Sequence, residues 1–325
     1  MSGETVCVTG GSGFLGSYVV KLLLERGYRV KTTVRNVQDA KKVAHLRALP
    51  GAAERLELCQ ADLLEEGSFD KAIEGCVGVF HTASPFFVKN QTRDALVVPA
   101  VQGTLNVLRS CARHATVRRV VLTSSMAAIY VHCDTLPDDH VFTEADWSHE
   151  DRMEKLGLWY CLSKTVAERT ANAFIAETQP AFDLVAMCPT LILGPMLPPS
   201  MNESSDKIFK LANGDTKVLS LAGRTLVDVR DVALAHVVGF EKPEANGRYM
   251  LVSCFATDQE IVDGMRRVDP TITVTATASP GQPAPRINFD TNKARTGLGI
   301  TFHSLDAMLE GTCVSLHEHK FLGAS

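Results

Sequence analysis

The amino-acid sequence predicts an α/β fold: a doubly wound parallel sheet carrying a smaller C-terminal lobe. Three observations predict it. Apolar runs of strand length alternate with helical stretches from the N-terminus to Pro189. A glycine-rich turn joins the first run to the first helix. After Pro189 the texture changes, and Gly194-Pro195-Met196-Leu197-Pro198-Pro199 interrupts any regular element. The chain has 325 residues, of which 45% are hydrophobic, enough for one large unit with an attached lobe. We divide it into residues 1–190, the sheet domain, and 191–325, mainly the lobe, with part of the latter returning to the sheet.

The strands read as Val6–Thr9, Arg29–Val34, Leu56–Gln60, Val77–Thr82, Val117–Thr123 and Phe182–Pro189. The helices between them read as Gly13–Arg26, Val37–Leu46, Gly67–Ile73, Arg93–His114 and Trp159–Glu177. In the C-terminal third the helices read as Ser204–Leu211, Val229–Phe240 and Ala256–Arg267. Residues Val131–Lys155 are polar and lack a clear period, so they read as a long surface excursion, either a lid or a plain solvated loop.

The first turn, Thr9-Gly10-Gly11-Ser12-Gly13-Phe14-Leu15-Gly16, carries the first chemical signal. Gly10 permits a sharp turn, Gly13 lets backbone approach a pyrophosphate, and Gly16 lets the helix pack closely on the strand. The free N–H groups and positive end of that helix attract phosphate. This is a Rossmann-type dinucleotide turn. The end of the second strand reads Thr32-Thr33-Val34-Arg35-Asn36, followed by Lys41 and Lys42. A carboxylate there would accept from the ribose 2′-OH of NAD. None follows the strand directly, and a cation can instead pair with the 2′-phosphate of NADP. Arg35 is the first candidate; Lys41 and Lys42 are equally well read as solvated helix residues.

The second signal is Tyr160-Cys161-Leu162-Ser163-Lys164. Tyr160 and Lys164 stand one turn apart on one helix face. An ammonium beside a phenol favours its ionised form and lowers its pKa, which suits the phenol to proton exchange with a carbonyl oxygen. The fifth strand ends Thr123-Ser124-Ser125, and ligands of open α/β sheets bind beyond the carboxyl ends of the strands. One of the two serines serves the chemistry and the other a cap or turn.

Composition narrows the partners. Net charge is −4, so no global field attracts nucleic acid or an anionic membrane. No apolar run approaches the ~18 residues of a membrane span. The first strand begins within a few residues of Met1, leaving no room for a signal peptide. The nine cysteines include no C-x-x-C pair and read as reduced thiols of a cytoplasmic protein. His81 has no companion at zinc-like spacing, so no metal is expected. Monomer and homodimer are both compatible with the pattern.

These segments together resemble an extended short-chain dehydrogenase/reductase, and more narrowly the dihydroflavonol 4-reductase, cinnamoyl-CoA reductase and phenylacetaldehyde reductase group. The resemblance also rests on Asp62-Leu63, Val79-Phe80-His81-Thr82-Ala83-Ser84-Pro85, Gly103-Thr104-Leu105-Asn106, Pro189-Thr190-Leu191-Ile192-Leu193-Gly194-Pro195 and Val227-Asp228-Val229-Arg230-Asp231. It spans nearly the whole chain. It implies NADPH as hydride donor and a catalytic set of Ser125, Tyr160 and Lys164. Cofactor contacts would come from Gly10, Ser12, Gly13, Phe14, Leu15, Arg35, Lys42, Asp62, Leu63, Thr82, Ala83, Ser84, Thr123, Tyr160, Lys164, Pro189 and Leu191. Phe86, Met126, Ile129 and Met196, with Phe87 and Met201, are apolar groups in segments expected near the nicotinamide, and they line either an apolar pocket for a small hydrophobic ketone or aldehyde or the ordinary core.

The chain departs from the family at three places. Ala100 stands where many short-chain reductases carry an Asn. Leu158-Trp159-Tyr160-Cys161-Leu162-Ser163-Lys164 replaces the Asn-Trp-Tyr-Cys-Tyr-Gly-Lys of cinnamoyl-CoA reductases, which turns the reading from a CoA thioester toward a ketone or aldehyde. The polar specificity residue of dihydroflavonol reductases has no match near His132. Alternatives are a thioester reductase, a 3β-hydroxysteroid dehydrogenase, a sugar-nucleotide epimerase or dehydratase, and a cofactor sensor without turnover. Arg35 argues against the NAD-linked ones, Ser124-Ser125 against a dehydratase, and the Tyr160/Lys164 pair against the sensor.

Overall fold

Seven parallel strands form the centre of the molecule in the computed structural model, which describes residues 3–84, 92–131, 136–137, 139–281 and 286–322. They are β1 (Thr5–Thr9), β2 (Arg29–Val34), β3 (Leu56–Gln60), β4 (Gly78–His81), β5 (Arg119–Thr123), β6 (Asp183–Pro189) and β7 (Gly247–Leu251). Their spatial order is β3-β2-β1-β4-β5-β6-β7, and every adjacent pair is parallel. The order reverses between β1 and β4, which opens a crevice at their carboxyl ends, the ligand position of a doubly wound sheet.

The strands hold their places because both faces are covered. Val6, Cys7 and Val8 of β1 are all fully buried, as expected of a strand packed on both sides. On one face lie the helices Phe14–Glu25 and Val229–Glu241, which share a core with Val19, Leu23, Val232 and Phe240. On the other lie Arg93–Ala112 and Trp159–Thr178, which bury Val107, Cys111 and Ala171. The sequence leaves the seventh strand unassigned. Gly247–Leu251 reaches the sheet edge from the C-terminal third and pairs with β6.

A separate core holds the lobe. Its three-stranded sheet places Arg224–Asp228 between Leu191–Leu193 and Cys254–Ala256. Helix Asp258–Val268, started by a Thr257/Glu260 capping box, packs on Leu305–Glu318. Phe14, at the start of the first helix, packs against both this core and that of the sheet domain. The excursion also contains more order than its polarity suggests. It forms the helix Glu150–Leu156, stopped by left-handed Gly157 (φ 65°), and a two-residue strand Val141–Phe142 paired with Asn288–Phe289.

The first turn shows why its glycines are needed. Gly10 has φ +71°, and a Cβ on Gly16 would lie 2.5 Å from the Gly10 carbonyl oxygen. That oxygen accepts from Gly13 N at 3.0 Å and cannot move without opening the turn. Gly16→Ala is therefore expected to cost about 1–3 kcal/mol, the usual range for overpacking, measured as a loss in denaturant midpoint at unchanged slope. An unchanged midpoint would show that the helix can slide away from β1.

Candidate active site

The carboxyl edges of β1, β4, β5 and β6 bring the chemical residues together. Ser125 leaves the end of β5 in extended geometry and caps a short 3₁₀ turn, accepting from Ala127 N at 3.1 Å. Its hydroxyl also lies close enough to the side chain of Tyr160 to lower the pKa of the phenol. Lys164, one turn along the Tyr160 helix, donates to the Thr123 carbonyl oxygen at 3.4 Å. Ser125, Tyr160 and Lys164 thus converge. Ser124 turns away and donates to Glu168 at 2.5 Å. Ser125 therefore carries both the cap and the tyrosine contact, whereas the sequence assigns one role to each serine.

The electrostatics differ from the simple expectation for a Tyr/Lys pair. Burial is the largest influence on Tyr160 and raises its pKa above the ordinary phenol value, while the Ser125 hydrogen bond pulls it down. Burial brings Lys164 down to about 8, opposed by Cys188 and Glu168. In this state Tyr160 is a protonated phenol at neutral pH.

The floor of the site is a set of locked hydrogen bonds. Burial keeps His236 neutral, with a pKa of about 4. Its Nδ1 faces the Val232 carbonyl at 2.8 Å and must donate, so Nε2 accepts from the Thr123 hydroxyl at 2.7 Å. His81, brought down to about 3 by burial and by Lys164, pairs with the Thr9 hydroxyl at 2.8 Å. Thr9 also accepts from Ala83 N and, through its carbonyl, from the Thr82 hydroxyl. Thr82 and Ala83 are thereby fixed against the first turn, and a Cβ on Gly10 would meet Ala83 at 3.0 Å. Pro189 ends β6 and Leu191 opens the next short strand, so their bend lies at the same edge.

A second region flanks the first turn. A cleft of about 530 Å³ is lined by Ser12, Gly13, Phe14, Arg35, Lys42 and neighbouring residues. The first helix has no side-chain cap at Gly13 and no acid in its first turn. Arg35 and Lys42 are both exposed. Asp39 also lines the cleft, but its carboxylate caps the helix Ala40–Arg47 by accepting from Lys42 N. Leu15 is buried in the helix behind the turn. Asp62 and Leu63 follow β3, and Asn106 pins them by donating to the Leu63 carbonyl at 3.0 Å. Asn106 is fully buried, which gives it a structural role.

Other residues proposed from the sequence are arranged differently. Met126 and Ile129 are 1% exposed and pack with Phe142, Cys188 and Met250. Met196 is buried in the lobe core, with its backbone N bonded to Ser315. None of the three lines either of the cavities around Lys164 and the first turn. Met201 lines the cleft that holds Arg35. Phe86 and Phe87 lie outside the described residues, as does His132. Ser84 and Ala100 line a water-sized cavity with Lys164 and Thr123. The sequence reading missed the contribution of Pro198, Ser200 and Asn202 to the cleft wall, because nothing local links that turn to β2.

Fold and residue order together define an extended short-chain dehydrogenase/reductase. The chain belongs to the NAD dependent epimerase/dehydratase family, whose model matches residues 6–252. It is 42% identical to cinnamoyl-CoA reductase CAD2 of Medicago truncatula over 98% of this chain and 97% of that protein. It is 40% identical to tetraketide alpha-pyrone reductase 1 of Arabidopsis thaliana, covering 98% and 96% of the two chains. Among solved structures it is similar to vestitone reductase from alfalfa (Medicago sativa), with 32% identity, a TM-score of 0.81 and coverage of 98% and 99%.

The two buried histidines predict an acid limit to stability. Each has a folded pKa below its unfolded value near 6.5. Below that pH the unfolded chain binds more protons, so stability falls as pH drops from about 6.5 toward 4. Melting curves between pH 7.5 and 5 should show this fall, and His236→Gln should flatten it. An equal slope in the variant would assign the acid sensitivity elsewhere.

Proposed function

We propose that the protein is an NADPH-dependent carbonyl reductase, acting in the cytoplasm on a small hydrophobic ketone or aldehyde. The observation that carries this reading is the approach of the Ser125 hydroxyl to Tyr160, one helical turn from Lys164, at the carboxyl edge of β5. The reductase names of the relatives support it. The eight described cysteines are all free thiols, which supports the location.

The residues around the first turn fit a dinucleotide. The turn has no room for a Cβ at Gly16, the helix end above it is uncapped, and two exposed cations stand at the far wall. Gly10, Ser12 and Gly13 would hold the diphosphate, and Arg35 and Lys42 the 2′-phosphate. When bound, the reduced nicotinamide supplies the hydride. Tyr160 donates its proton to the substrate oxygen, and the Ser125 hydroxyl holds that oxygen against the phenol. Lys164 supplies positive charge beside the tyrosine and a donor for the nicotinamide ribose. Met126, Ile129 and Met196 would reach a substrate only if their packing opens on binding.

A cinnamoyl-CoA-type thioester reductase is the second reading, favoured by the 42% identity to such an enzyme. Leu162 and Ser163, in place of the Tyr-Gly of that group, favour the ketone or aldehyde.

Arg35 makes the cofactor testable. One charge-assisted contact is worth about 1.5–3 kcal/mol, roughly ten- to a hundredfold in affinity. NADPH should therefore bind that much more tightly than NADH, and Arg35→Ala should remove most of the difference in a fluorescence titration. Equal wild-type affinities would overturn the assignment.

The chemistry is tested by NADPH consumption across aromatic aldehydes, ketoesters, flavanonols, cinnamoyl-CoA and UDP-sugars at equal concentration. Hydrophobic carbonyl compounds should turn over and UDP-sugars should not. Tyr160→Phe should lower kcat at least about 10²-fold with NADPH affinity retained. Turnover of a UDP-sugar, or a wild-type rate in Tyr160→Phe, would sink the reading.

A further inference from the structure

Glu168 follows Lys164 by one turn, as Lys164 follows Tyr160, so the three share one face of the Trp159–Thr178 helix. Its side chain is fully buried. A buried carboxylate is costly unless it is paired and hydrogen-bonded, and here it is both. Arg248 of β7 donates to it through Nε at 2.6 Å and Nη2 at 3.3 Å. The Ser124 hydroxyl donates to it at 2.5 Å.

Arg248 is itself immobilised. It donates to the carbonyl oxygens of Ala128, Glu144 and Asp146 and stacks on Trp147 with 3.9 Å between guanidinium carbon and ring centre. The pair therefore ties together four things: the Tyr160 helix, β7, the polar excursion before that helix, and the Ser124-Ser125 turn. Lys164 and Glu168 both line the water-sized cavity behind the site, with Thr104, Ser124 and His81.

We propose that Glu168, held by Arg248, is the positioning residue of the Ser125–Tyr160–Lys164 set: it clamps the turn that presents Ser125 and supplies negative charge behind Lys164. The proposal rests on the reductase reading for its kinetic consequences. The clamp works through the adjacent residue, since Ser124 is anchored to Glu168 while Ser125 points to Tyr160. The charge works directly. The titratable and charged groups that face Lys164 are Glu168 on its own helix, Cys188 from β6 and His81 from β4, with Arg248 of β7 behind Glu168. His81 is neutral, and Glu168 and Cys188 oppose the burial that brings Lys164 to about 8.

The experiment reads Lys164 itself. Its ¹³Cε resonance, assigned through Lys164→Arg, is titrated in wild type, Glu168→Asp, Glu168→Gln and Glu168→Gln with Arg248→Met. The double variant removes the guanidinium that Glu168→Gln would strand. Loss of a nearby opposite charge should lower the Lys164 midpoint by roughly one unit or more in both Gln variants, and Glu168→Asp should stay near wild type. The alkaline limb of kcat should move with the midpoint, and Ser124→Ala should lower kcat about tenfold without moving it.

A purely structural pair would lower the melting temperature and leave the midpoint of the folded fraction where it was. A folded Gln variant with a wild-type midpoint overturns the proposal. So does an equal shift in Glu168→Asp and Glu168→Gln. Should the Gln variants not fold, a wild-type kcat in Ser124→Ala overturns the clamp. If wild type reduces no carbonyl compound, the reductase reading fails, while the Lys164 titration still decides the role of Glu168.

Discussion

The close approach of the first helix to β1 is the constraint on which the rest of the molecule depends. Gly16 must have no side chain because the Gly10 carbonyl occupies that space, and Gly10 must accept a left-handed backbone to put it there. The result is a helix N-terminus aimed along the carboxyl edge of the sheet with no side chain capping it. Phe14, the first residue of that helix, is then placed where it touches both the sheet core and the lobe core. One turn thus orients an uncapped helix end and joins the two halves.

The second organising element is the pooling of loops at one edge. β1, β4, β5 and β6 are adjacent and parallel, so Gly10, Thr82, Ser125 and Pro189 emerge on the same side although far apart in the chain. Thr9 links the first two of these loops through His81, Ala83 and Thr82. Thr123 and His236 link the third to the helix Val229–Glu241. Neutral histidines suit these positions: each supplies a donor or acceptor in a dry interior without the desolvation cost of a charge.

The carboxyl-edge site and the cleft at the first turn differ in how they are built. Around Lys164 the side chains of His81, Thr123, Ser124 and Glu168 each have a hydrogen-bond partner from another element. The cleft instead presents Arg35 and Lys42 to solvent, with a wall supplied by the lobe at residues 198–202.

Much of this was legible in the sequence, because the signals were local. Strand and helix type followed from the period of the apolar residues, and the six strands up to Pro189 are found within one or two residues of the ends read for them. Tyr160 and Lys164 share a face because the helix repeat dictates it. The remainder needed long-range contacts. The Gly247–Leu251 strand carries no signal that says which sheet it joins. Glu150–Leu156 is too short and polar for its period to stand out. Met126, Ile129 and Met196 are apolar in segments near the site, but whether an apolar residue faces a ligand or the core is set by what the other elements leave uncovered. The same holds for Glu168: on the helix it is one more acid four residues after a lysine, and only Arg248, 80 residues away in sequence, makes it a buried charge. The sequence by itself determined the six strands up to Pro189, the parallel doubly wound class and the shared helix face of Tyr160 and Lys164, since these depend on neighbours a few positions apart. The tertiary structure alone decided which side chains are buried against which, since that depends on surfaces contributed by distant segments.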